Sequence, residues 1–189
     1  MITVLAVPGI VGILPGRRDA QCCSSFFGRL HRAMPESDLT CVCLNYAAAE
    51  LGLLGVFALP FMRRQAERGL DETAPLLGRS TVIVSHSLGT ELVRGWLVDT
   101  GYQPALWIMA GTYDGLIGGT VRSFTGHVTR PWPDVPALNL YHPDDRWGGP
   151  LPGVDSQVLC AAPGASPGHA YWDDAAFARA VGEAVRGRA

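Results

Sequence analysis

The stretch Thr81-Val82-Ile83-Val84-Ser85-His86-Ser87-Leu88-Gly89-Thr90 constrains this chain more than any other. Four consecutive β-branched residues favour a buried strand. Glu91, Leu92, Val93 and Arg94, directly after it, favour a helix. A strand that turns straight into a helix folds back on itself, so the residues flanking the apex must be small and the apex itself is strained. Ser85 and Gly89 meet that need on either side of Ser87. The first N–H groups of the helix, beginning at Leu88, then face the space above Ser87. Ser87 is therefore a candidate nucleophile on a strand-to-helix elbow. In an ordinary joint of the same shape it would serve only as an N-cap.

The rest of the chain repeats the strand-then-helix order. Strands are predicted over Ile2 to Val7, Leu39 to Asn45, Thr81 to Val84, Ala105 to Met109, Ala137 to Tyr141 and Ser156 to Cys160. Helices are predicted over Asp19 to Met34, Phe61 to Leu77, Leu88 to Asp99 and Asp173 to Arg186. Continuous apolar strands alternating with helices imply an α/β fold: a mostly parallel sheet of about six strands with helices on both faces. Its functional loops gather at the C-terminal ends of the strands. No repeat or linker interrupts the pattern, so residues 1–189 are expected to form a single domain.

Composition narrows the function classes. A formal net charge of -2 argues against a nucleic-acid groove. The five cysteines are odd in number and irregularly spaced, which argues against a disulfide framework. Cys22 and Cys23 read as small buried hydrophobes, and Cys41 and Cys43 share one face of the second strand. His31 is the only histidine near them, so a zinc site is not expected. The apolar N-terminus, Met1 to Leu14, lacks a basic segment before it and is broken by Pro8-Gly9, so it reads as a strand and its loop rather than a signal peptide. With unpaired cysteines this gives a cytoplasmic expectation. The apolar stretch Ala47 to Phe61 is too short to span a membrane.

A serine hydroxyl needs a basic partner to attack at neutral pH, and that base usually needs a carboxylate to orient it. The turn after the fifth strand reads His142-Pro143-Asp144-Asp145, which offers Asp145 as the acid, with Asp144 as its rival and good turn chemistry as the alternative role of both. After the sixth strand, His169 ends a Gly/Pro loop and is the candidate base; His127 and His142 are its rivals. His86 points away from where Ser87 needs a base, and His31 lies within a helix. The Pro8-Gly9-Ile10 loop after the first strand offers the Ile10 N–H as one oxyanion donor, and the Leu88 N–H is the other. Leu53, Phe57, Trp147 and Trp172 are candidates for an acyl pocket, with core packing as the alternative reading. Residues 47–61 and 111–136 are candidate lids.

With these residues in place the chain resembles the α/β-hydrolase superfamily, and within it both the small minimal-core serine esterases and lipases and the short serine-hydrolase group whose elbow also reads His-Ser-Leu-Gly. The order Ser87, Asp145, His169 matches the nucleophile, acid, base order of that superfamily. Ser85 stands where glycine is commoner, and Pro8 where a histidine often precedes the oxyanion glycine. The resemblance implies an α/β-hydrolase fold without a large cap domain. It implies hydrolysis of a carboxyl ester through an acyl-enzyme, with a small-molecule or lipid acyl ester as partner and no metal or organic cofactor. Thioester cleavage, hydrolysis of cell-wall lipid esters of the mycolyl type, acyl transfer and a non-catalytic binding role on the same fold are the alternatives.

Overall fold

The computed structural model describes residues 1–9, 19–44, 55–112, 132–146, 148–160 and 170–188, with backbone only for 19–22, 55–63 and 88. Six strands form one sheet: β1 (Ile2–Val7), β2 (Leu39–Cys43), β3 (Thr81–His86), β4 (Leu106–Ala110), β5 (Ala137–Tyr141) and β6 (Asp155–Val158). Their order is β2-β1-β3-β4-β5-β6, and every pairing is parallel. Four helices accompany them among the described residues: α1 (Asp19–Ala33), α2 (Gly55–Thr73), α3 (Leu88–Thr100) and α4 (Ala175–Arg186).

The central strands are buried on both faces, which is why they read as unbroken apolar runs rather than alternating ones. Val4, Ala6, Val82, Val84, Ile108 and Ala110 face one side, where Phe26 and Leu30 of α1 and Phe177 and Val181 of α4 complete a core. Leu5, Val7, Ile83, Trp107 and Met109 face the other, against Ala66 and Leu70 of α2 and Val93, Trp96 and Leu97 of α3. The period of two along each strand assigns successive residues to opposite layers. Each fully buried aliphatic side chain contributes about 2 kcal/mol from area removed from water.

The element boundaries correct the sequence reading in several places. β3 continues two residues past Val84, because Ser85 pairs in register with Val7 and Met109, and His86 with Ala110. α2 begins at Gly55, before Pro60; the proline removes one intrahelical bond, which is not enough to delay the helix. A short 3-10 turn, Tyr171–Asp173, precedes α4, and Asp174 caps that helix by accepting from the N–H groups of Ala176 (3.0 Å) and Phe177 (2.9 Å). β6 ends at Val158 and is an exposed edge strand.

Cysteine pairing is a further correction. Cys23 and Cys43 form a disulfide, although the spacing suggested none. The bridge exists because α1 packs beside β2, which brings two residues 20 apart in sequence to a Cα separation of 6.3 Å. Cys41 and Cys43 do share a face, both packing against the α1/α4 core. Cys41 and Cys160 carry free thiols, and burial pushes the Cys41 thiol up to about 11. No helix among the described residues is long and apolar enough to cross a membrane.

Candidate active site

The elbow forms where the strand order changes direction. β1 has β2 on one side and β3 on the other, so the strand order reverses between β1 and β3, the place where parallel sheets of this kind bind ligands at the strands' C-terminal ends. Ser87 sits at that point with φ 55° and ψ -129°, the one non-glycine residue with positive φ among the described residues. An L-residue held there costs about 1–3 kcal/mol and persists only where its surroundings impose it. Three contacts do so. The Ser87 N–H donates to the Ala110 carbonyl at 2.9 Å, extending the β3–β4 pairing past the strand end. A Cβ at Gly89 would lie 2.4 Å from the Val7 carbonyl oxygen, so only glycine lets α3 start this close to β1. A Cβ at Gly9 would lie 2.6 Å from that of Ser87. The backbone at Gly9 therefore lies directly against the candidate nucleophile.

Successive residues of β3 point to opposite sides of the sheet. Ser85 Oγ, fully buried, accepts from the Trp107 indole N–H at 2.9 Å and lies 3.1 Å from Thr90 Oγ1. The residue expected merely to be small thus also ties strand, neighbouring strand and helix together. His86 goes the other way and packs its ring 5.4 Å from that of Tyr171 and 5.8 Å from that of Trp172. It points away from Ser87's side of the turn, as expected from the period of two.

Leu88 is the first residue of α3, so its N–H is one of those a helix start leaves without an intrahelical acceptor. Leu88 is one expected oxyanion donor; the other, Ile10, lies outside the described residues.

The turn after β5 separates its two carboxylates. Asp144 is exposed, whereas Asp145 is 6 % exposed and accepts from the Tyr171 hydroxyl at 2.8 Å. Gly148 packs against this carboxylate: a Cβ there would meet Asp145 Oδ2 at 2.7 Å and the Gly111 Cα at 3.1 Å. Gly111 follows Ala110, whose carbonyl holds the Ser87 N–H. Gly148, beside the Asp145 carboxylate, and Ser87 thus both lie against the exit of β4, one residue apart. Tyr171 also accepts the His142 main-chain N–H at 3.0 Å. Burial holds its phenol far above the ordinary tyrosine range, so the hydroxyl keeps its proton.

His142, a rival for the base, is fully buried on the α4 side. Its Nε2 lies 3.0 Å from Asp174 Oδ2, out of alignment for a hydrogen bond, and its ring stacks 5.0 Å from Tyr171. The expected base His169, its rival His127, and the pocket candidates Leu53 and Trp147 lie outside the described residues; for Phe57 only the backbone, within α2, is described. Trp172 corrects the pocket reading. It is 3 % exposed and packs edge-on against Phe26 of α1 and Phe177 of α4, with ring centroids 5.1 and 6.1 Å away. It belongs to the core on that face. Sequence reasoning missed Tyr171, whose partner lies 26 residues away and leaves no local signal. Its only hint was its position just beyond the Gly/Pro loop. Among the described residues no group of three His, Cys, Asp or Glu is arranged to hold a metal.

The chain has the fold of RedJ, a thioesterase from the prodiginine biosynthetic pathway of Streptomyces coelicolor. The TM-score is 0.61 at 13 % identity, with all of this chain and 90 % of that one covered. A second structure of RedJ, with a polyethylene glycol molecule bound in its active site, gives a TM-score of 0.60 at 13 % identity over 92 % of its length. These likenesses show a small α/β-hydrolase-like fold, and no large cap is present among the described residues. No protein-family model and no curated protein matches the sequence.

Proposed function

We propose that this protein is a serine hydrolase that cleaves carboxyl esters through an acyl-enzyme. The observation that carries the reading is the backbone of Ser87: a non-glycine residue at φ 55°, held at the switch point of a parallel sheet on the first turn of a helix. Strain of this kind at a strand-to-helix turn lifts a hydroxyl out of the chain toward a bound carbonyl. Ser87 attacks that carbonyl while His169 takes its proton. Asp145 holds the imidazole in the right tautomer and stabilises the imidazolium. The N–H groups of Leu88 and Ile10 receive the oxyanion, each such donor contributing about 3 kcal/mol to the transition state. Water then releases the acyl group by the same route reversed. The carboxylate choice is supported by burial, which favours Asp145 over the exposed Asp144.

Thioester cleavage is the second reading, favoured by the shared fold with RedJ. The two are separated by turnover of matched acyl chains on p-nitrophenol and on N-acetylcysteamine. An added alcohol acceptor reports any acyl transfer in the same assay. Ser87→Ala should abolish turnover of both substrate types and covalent labelling by a fluorophosphonate probe, with the fold unchanged by circular dichroism. Retained turnover in the folded variant would overturn the assignment.

A further inference from the structure

We infer that Tyr171 is the positioning residue for the acid: its hydroxyl fixes one oxygen of the Asp145 carboxylate and leaves the other for the base. The inference rests on the serine-hydrolase reading and adds to it a residue from outside the triad. The direction of the hydroxyl proton follows from two of its contacts. The His142 main-chain N–H can only donate, so the Tyr171 oxygen accepts there, at 3.0 Å, and its own proton goes to Asp145 Oδ2, at 2.8 Å. The ring cannot swing. It is fully buried and held by His86 at 5.4 Å, His142 at 5.0 Å and Phe177 at 5.5 Å between centroids. A phenol buried so deeply is costly unless its oxygen is paired, and here it is paired on both sides.

The same contact links the two halves of the site, because the ring that packs on His86 beside the elbow carries the hydroxyl that binds the acid. Gly148 completes the arrangement. A Cβ there would lie 2.7 Å from Asp145 Oδ2 and 3.2 Å from the Tyr171 hydroxyl, so the close approach depends on the missing side chain. Among the described residues the ionisable groups around Tyr171 include His86 from β3, His142, Asp144 and Asp145 from the turn after β5, and Asp174 ahead of α4.

The test is the pH dependence of p-nitrophenyl ester turnover, and of fluorophosphonate labelling at Ser87, in the wild type, Tyr171→Phe and Gly148→Ala. Phenylalanine keeps the ring contacts and removes only the hydroxyl. Without that donor the Asp145 charge is less dispersed and holds the imidazolium form of the base more strongly. The acid limb of the profile should therefore move to higher pH by about half a unit, and kcat should fall roughly tenfold with KM within about twofold. Gly148→Ala wedges a methyl group between the partners and should move both quantities the same way with Tyr171 intact. It decides the question alone if Tyr171→Phe fails to fold. A folded variant with unchanged kcat and an unmoved acid limb would mean that Tyr171 only ties the β5 turn to α4, and the inference would fall. Failure of the functional reading looks different: wild-type Ser87 would then not label at all.

Discussion

The nucleophile half of the site and the acid half are built by different means. Around Ser87 the constraint is backbone and missing side chains: its N–H bonds to the Ala110 carbonyl, Gly89 lies against the Val7 carbonyl, and Gly9 lies against the serine itself. Around Asp145 the partner that matters, the Tyr171 side chain, comes from a separate segment that shares a core with α4. The elbow is a steric solution made by backbone atoms and two glycines of adjacent elements. The acid is held by a tertiary contact that depends on several segments arriving together. Damage to the first half should therefore disturb the geometry of one turn, whereas damage to the second should act on charge and orientation.

The largest effect that would sharpen this contrast is at the paired carboxylates. Asp145→Asn is expected to lose about 10³- to 10⁴-fold in kcat, the scale seen when a triad acid is neutralised, while Asp144→Asn should stay within about twofold. Steady-state kinetics on the two variants would identify the acid; equal losses would break the assignment by burial.

Next in size is the elbow. Gly89→Ala places a methyl group 2.4 Å from the Val7 carbonyl oxygen. Neither side is a flexible side chain, so the start of α3 must shift, at a cost of about 3 kcal/mol. Thermal denaturation should show a lower transition, and labelling of Ser87 should slow in the molecules that remain folded. An unaltered transition would mean that the helix start is looser than this contact indicates.

The smallest expected effect is at Ser85. Ser85→Ala leaves the buried Trp107 indole N–H without its acceptor and Thr90 without its neighbour, which should destabilise the fold by about 1–2 kcal/mol in urea titrations. Turnover per folded molecule should change little, because the Ser87 N–H still bonds to Ala110. A large loss of kcat without loss of stability would show that Ser85 takes part in more than holding the turn.

Much of the architecture was legible from the order of apolar strands and helices, and the parallel sheet with two covered faces follows that order. The start of α2 was obscured because Pro60 looked like a boundary. The pairing of Cys23 with Cys43 was obscured because nothing in the spacing says that α1 lies beside β2. Trp172 read equally well as pocket or core, since an aromatic residue suits either, and only its packing on Phe26 and Phe177 decides for the core.

By itself the sequence determined that a serine would stand at the end of a buried strand between two small residues. Four β-branched residues and a helix-forming run set the strand and the helix through their immediate neighbours, although the strands beside them hold the turn in place. Only the tertiary structure decided which of two adjacent aspartates is buried and which hydroxyl holds it. The physical reason is that burial and hydrogen bonding at Asp145 come from residues brought close by the docking of α4, and adjacent identical side chains carry no local sign of which one that docking will cover.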